Sequence, residues 1–178
     1  EAKVNEYERH VKQFETCRDK ISEVEQNLKV GEAIVIRDFV NTHAEENKVN
    51  NLVLVVGHRE KEGGLVVWQK LHHVCTDPDS QSTDAYFTVD VYEFQLTQGF
   101  IWKMGFTKLY VVGDHGGHFS AIQTIFYEST IRGKYGVEVV LLYLCSYHAY
   151  SRADRAGLWV KQIMKHLAQK NEEQTLAR

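Results

Sequence analysis

Two short apolar runs each deliver an aspartate at their C-terminal end, and this pairing constrains the chain more than any other feature. Ala33-Ile34-Val35-Ile36 leads into Arg37-Asp38-Phe39, and Leu109-Tyr110-Val111-Val112-Gly113 leads into Asp114. Unbroken β-branched and aliphatic runs of this length read as strands covered on both faces, which is the habit of an α/β sheet. In open α/β sheets ligands bind in the crevice beyond the C-terminal strand ends, so Asp38 and Asp114 are expected to flank one site.

The segments around these runs supply the remaining elements. Val4, Tyr7, Val11, Phe14, Cys17, Ile21, Val24 and Leu28 recur every three or four residues and predict an amphipathic helix over about residues 4–29. A polar loop is expected from Asn41 to Asn51, then a strand over Leu52–Val56 and, after Gly63-Gly64, a third strand over Leu65–Val74. Asp77–Asp84 reads as a loop and Ala85–Met104 as one helix. Phe119, Ile122, Ile125 and Phe126 form an apolar helical face, Val137–Cys145 a fifth strand, and Asp154–Gln169 a closing helix. The predicted architecture is a mixed five-stranded α/β sheet, a three-stranded antiparallel meander plus two parallel strands, flanked by helices.

Composition bounds the reading. With 178 residues, 43% hydrophobic content and a single proline, the chain suits one domain, its core over about residues 33–170. The start at Glu1, without a methionine, leads us to expect a fragment of a longer protein. No apolar stretch is long enough to cross a bilayer, so no membrane role is expected. Three cysteines without a CxxC pair suggest neither a disulfide framework nor a zinc ribbon, and point to an intracellular, reducing setting. The net charge of −3 weighs against a nucleic-acid binder, although acidic metal ligands lower the formal charge and a separate basic domain can carry DNA affinity.

Carboxylates brought together at adjacent strand ends repel one another, which favours a shared proton or a bound cation. Asp154, at the start of the last helix, is placed to supply a third oxygen ligand. Hard Mg2+ or Mn2+ takes such ligands together with water and phosphate oxygens. The alternative is that Asp38 and Asp114 cap loops or helices and that Asp154 is a charge favoured by a helix N-terminus.

Three segments resemble the ribonuclease H-like (DDE/D) transposase catalytic domain of eukaryotic transposon-derived proteins. Leu28-Lys29-Val30-Gly31-Glu32 and the following strand to Asp38-Phe39 resemble that family's turn and first acidic strand. Val111-Val112-Gly113-Asp114, with Phe119 beyond it, is similar to the element carrying the second acid. His148, Asp154, Gly157 and Lys161 fall in step with its His-Gly-Lys-x-x-x-Asp-x-x-Gly-x-x-x-Lys segment. Ala149-Tyr150 replaces the usual Gly-Lys, and Val40-Asn41 the common Glu-Asn after the first acid.

The resemblance implies a nuclear, metal-dependent nuclease that cleaves and joins DNA. It implies Asp38, Asp114 and Asp154 as catalytic metal ligands for Mg2+ or Mn2+, and His148 near the scissile phosphate or as a hydrogen-bonded structural residue. Lys161 and Arg152 are the expected nucleic-acid contacts, or else solvated charges, and a homo-oligomer is compatible with the family. A second expectation is a domesticated, catalytically silent module that keeps the fold to bind DNA or protein. A third is a His/Asp metal-dependent phosphoesterase built on Asp114-His115-x-x-His118, with His43, His58, His72 and His73 as further ligands.

Overall fold

The computed structural model describes residues 2–44, 47–75, 85–114, 116–117 and 119–144, and helical residues 152–153, 155–156, 158–159, 161–163 and 166. In chain order the elements are α1 (Ala2–Asn27), β1 (Glu32–Ala44), β2 (Asn47–Arg59), β3 (Val66–Cys75), α2 (Ala85–Thr97), α3 (Phe100–Met104), β4 (Lys108–Asp114), α4 (Ile122–Tyr135) and β5 (Glu138–Leu144). They build one five-stranded sheet in the order β3-β2-β1-β4-β5. β1–β2 and β2–β3 pair antiparallel, whereas β1–β4 and β4–β5 pair parallel, giving the expected meander and parallel pair.

Both faces of the sheet are covered, which is why its central strands are continuously apolar. Ala33, Val35, Leu52, Leu54 and Val111 pack against Val91, Tyr92 and Leu96 of α2, and against Phe119 and Ile131. Ile34, Ile36, Val53, Val55 and Val112 pack on the other face against Val24 and Leu28, and against Ala153 and Ala156 of the later helical residues. The α1 stripe is realised toward its C-terminal end, where Val24 and Leu28 are buried, while Tyr7 is 66% exposed. Arg59 closes that helix: its guanidinium donates to the carbonyls of Glu25 and Gln26 at 3.0 and 3.1 Å, satisfying groups that a helix end leaves open.

Four expectations are corrected. The sheet extends into the polar segment 41–51, because the β1–β2 ladder runs from Ala33↔His58 to Ala44↔Asn47 and its backbone pairing needs no apolar side chains. The helix expected over 85–104 is two helices. At the break, the amides of Gln98 and Gly99 both donate to Phe94 O, and a Cβ on Gly99 would meet the Gln95 side chain at 2.5 Å. The face of α4 is also different: Ile122 and Phe126 are 78% and 70% exposed, and the buried positions are Thr124, Glu128 and Ile131. A buried cation on β1 claims that face, as described below. Lastly, Asp38 lies within β1 and not at its end, since the strand continues to Ala44. The loop expected over Asp77–Asp84 falls outside the described residues.

Candidate functional site

Register brings the first two acids together. Ile36 pairs with Val112 as the last pair of the parallel β1–β4 ladder, and Asp38 and Asp114 each lie two residues beyond it on their strands. Neighbouring strands lie about 4.8 Å apart, and side chains two residues apart share a face. Both aspartates are half-buried and stand on the face that carries Ile36 and Val112, covered by α1 and by the helical residues around Ala153 and Ala156. Asp114 is oriented by its own turn, in which its Oδ1 accepts the Gly116 amide at 2.9 Å.

The opposite face of the sheet holds a buried charge cluster that the sequence reading missed. Arg37 donates to the Glu128 carboxylate, with both side chains 1% exposed, and to the Tyr92 hydroxyl at 2.9 Å. Its guanidinium carbon lies 4.4 Å from the centre of the Phe119 ring. Burial opposes the Arg37 charge, but Tyr92 and Glu128 outweigh it and raise its affinity for the proton. Burial pushes the Glu128 carboxyl up despite Arg37, and pushes the Tyr92 hydroxyl up as well. An arginine interrupting the apolar run before Asp38 was the available signal, because a buried charge requires a partner.

The other expected site residues divide as follows. Asp154 and His148 lie outside the described residues. Lys161 is described and exposed. Arg152 stacks over Trp68, its guanidinium carbon 4.1 Å from the ring centre, and its Nη2 is 3.5 Å from Glu25 Oε2. Among the described residues no three His, Cys, Asp or Glu side chains gather as a metal-holding group.

The histidines proposed for a phosphoesterase are dispersed where they are described. His72 is opposite Val53 and His73 opposite Leu52, so they point to opposite faces of β3. Asn51 lies 3.3 Å from His72 Nδ1, and Gln95 lies 2.9 Å from His73 Nε2. His58 is buried beside the rings of Phe100 and Phe106. His115, His118 and the side chain of His43 fall outside the described residues.

A β3-β2-β1-β4-β5 sheet with an antiparallel meander and a parallel pair, its central strand β1 between β2 and β4, is a ribonuclease H-like fold. Among solved structures, the chain is similar to the catalytic domain of Mos1 mariner transposase, with 11% identity and a TM-score of 0.47 over 96% of this chain and 83% of that one. No family model matches the sequence, and no curated protein matches it. Among the described residues no helix is long and apolar enough to cross a membrane.

Proposed function

We propose that this domain is a transposase-like nuclease core that binds Mg2+ or Mn2+ through Asp38, Asp114 and Asp154, cleaves a DNA phosphodiester and joins the resulting 3′ end to target DNA in the nucleus. The observation that carries the reading is that Asp38 and Asp114 stand on one face of adjacent parallel strands, each two residues beyond the Ile36–Val112 pair. Carboxylates offer oxygen donors only, which fit a hard divalent cation and not a soft one.

Such ions, when bound, lower the pKa of an attacking water and stabilise the charge on the leaving oxygen. The chain's own residues do the rest. Asp38 and Asp114 fix the donor oxygens on strands that cannot shift without breaking the ladder, and the Gly116 amide holds one Asp114 oxygen in place. Asp154 is assigned as third ligand from its place in the segment that resembles the family's third acidic element. His148 and the exposed Lys161 are assigned to the phosphate backbone of DNA.

The test is divalent-dependent nicking of supercoiled DNA by the parent chain and by Asp38→Asn, Asp114→Asn and Asp154→Asn. Nicking by the parent and its loss, by about a hundredfold or more, in each variant is expected, removal of a group stabilising developing charge being worth that much. A parent that neither nicks nor binds Mn2+ refutes the reading in favour of a silent module that keeps the fold. Equal nicking by parent and variants refutes the assigned residues.

A further inference from the structure

The acids on one face of the sheet and the buried charge cluster on the other are joined through β1 and the turn after β4. Arg37 and Phe39, the two neighbours of Asp38, both contact Phe119: the Arg37 guanidinium lies over its ring at 4.4 Å, and the Phe39 ring stacks on it with centroids 5.4 Å apart. Phe119 is fully buried and ends the turn that follows Asp114. Its amide donates to Gly116 O at 3.0 Å, and the Gly116 amide donates to Asp114 Oδ1 at 2.9 Å. Tyr143 of β5 donates to Phe119 O at 3.2 Å and ties the same residue to the strand on the far side of β4. A continuous set of contacts therefore runs from the flanks of Asp38, beneath the sheet, to the Asp114 carboxylate.

Gly113 makes this arrangement possible. A Cβ there would meet Arg37 Nε at 2.7 Å and Cγ at 3.2 Å, so the guanidinium occupies space that any other residue before Asp114 would fill. Glu128 and Tyr92 hold the guanidinium in that space from α4 and α2.

We propose that Arg37 is a positioning residue: clamped by Glu128 and Tyr92, it seats Phe119 and, through the Phe119–Gly116 and Gly116–Asp114 hydrogen bonds, fixes the Asp114 carboxylate on the strand beside Asp38. The consequence for divalent-cation affinity rests on the function proposed above, whereas the mechanical claim stands without it.

The test uses the full chain and compares Glu128→Gln, Gly113→Ala and the milder Phe39→Leu with Val55→Ala, a core truncation in β2 on the other face of the sheet, opposite Ile36. Amide hydrogen exchange is followed at Gly116 and Phe119 and, for reference, along β2 and β3, together with Mn2+ affinity by calorimetry. In each clamp variant that folds, exchange at Gly116 and Phe119 is expected to accelerate relative to β2 and β3, because local opening is decoupled from global stability. Val55→Ala is expected to lower protection throughout without singling out the turn. Mn2+ binding should weaken by about tenfold to a hundredfold in the clamp variants, the scale for residues that orient metal ligands.

If turn protection in Phe39→Leu and Gly113→Ala only tracks the rest of the sheet, the positioning role is overturned and Arg37 is merely structural. A parent that binds no Mn2+ overturns the metal reading instead, and the exchange data still decide the clamp.

Discussion

Arg37 and Asp38 are consecutive residues of one strand, and the two layers into which they point treat charge in opposite ways. Beneath α2 and α4, the Arg37 cation is sealed from solvent against Glu128, Tyr92 and Phe119. Beneath α1, two aspartates stand half-buried on neighbouring strands. The period of two along a strand is enough to separate them. A buried ion pair of good geometry serves position more than stability, because desolvation offsets most of the attraction. One layer therefore holds the frame, and the other carries the acids proposed as metal ligands.

That contrast is broken most sharply by removing one member of the buried pair. Glu128→Leu leaves Arg37 charged in an apolar layer and is expected to cost about 3–5 kcal/mol, whereas the double replacement Arg37→Met with Glu128→Leu is expected to recover most of it. Urea unfolding of the three variants measures both, and additive losses would show that the pair is not a unit. On the opposite layer a comparable insult is steric. Gly57 faces Trp68 across the β2–β3 ladder, and a Cβ there would meet the indole ring at 2.7 Å. Gly57→Ala is expected to cost about 1–3 kcal/mol by overpacking, and Trp68→Ala in the same chain should relieve the clash.

The two layers also differed in how far the sequence disclosed them. The strands were visible because apolar runs such as Leu52–Val56 are buried on both sides, and the acids were visible because each follows such a run. The strand order followed from the succession of elements. Its register did not, because nothing local to Ile36 or Val112 states that they pair. The α4 face was misread for a related reason: periodicity assigns the core to Ile122 and Phe126, but Arg37, ninety-one positions earlier than Glu128, requires that carboxylate inward. A tertiary charge thus overrides a local hydrophobic pattern. The extension of β1 past Asp38 was hidden because the backbone pairing of residues 41–44 needs no apolar sequence pattern.

A smaller effect distinguishes the layers through β3. His73 points toward α2, where burial foremost lowers its pKa, with the Leu52 carbonyl opposing that shift. His72 points to the other layer and is lowered by burial and then by Lys70. A depressed folded pKa means that the unfolded chain takes up the proton first. Their contribution is therefore intact above the unfolded value of about 6.5 and is lost as pH falls through the folded values. The melting temperature should drop between about pH 7 and pH 5. His73→Gln should flatten that drop more than His72→Gln, since His73 is the more buried of the two. A steeper fall without His73 would reverse the assignment. At lower pH, Glu93 adds a separate loss. Tyr127 foremost, with Tyr135 and Lys134, holds its carboxyl down to about 2, so its contribution is present above the ordinary carboxylate range and fades as pH falls toward that value.

The smallest expected change in stability belongs to the layer of the acids, at Asp114. Replacing it with Asn preserves the shape and keeps an oxygen at Oδ1, so the Gly116 amide retains its acceptor and the turn has no reason to open. What disappears is one negative charge on the strand beside Asp38, across about 4.8 Å of sheet spacing. If water screens the pair as it does in bulk, the repulsion relieved at that separation is about 1 kcal/mol. Against it stands the weaker hydrogen bond of a neutral acceptor, because charge-assisted bonds are the stronger kind. The two terms oppose each other and are of similar size. Without divalent ions, Asp114→Asn should therefore unfold within about 0.5 kcal/mol of the parent, on the stable side if repulsion dominates. Thermal unfolding in chelator and in millimolar Mn2+ separates the cases. The parent should gain stability from the ion by mass action and the variant should not, so the order of their melting temperatures should favour the parent once metal is added. A loss of several kcal/mol in chelator would mean that Asp114 belongs to the frame, and the division of labour between the two layers would fall with it.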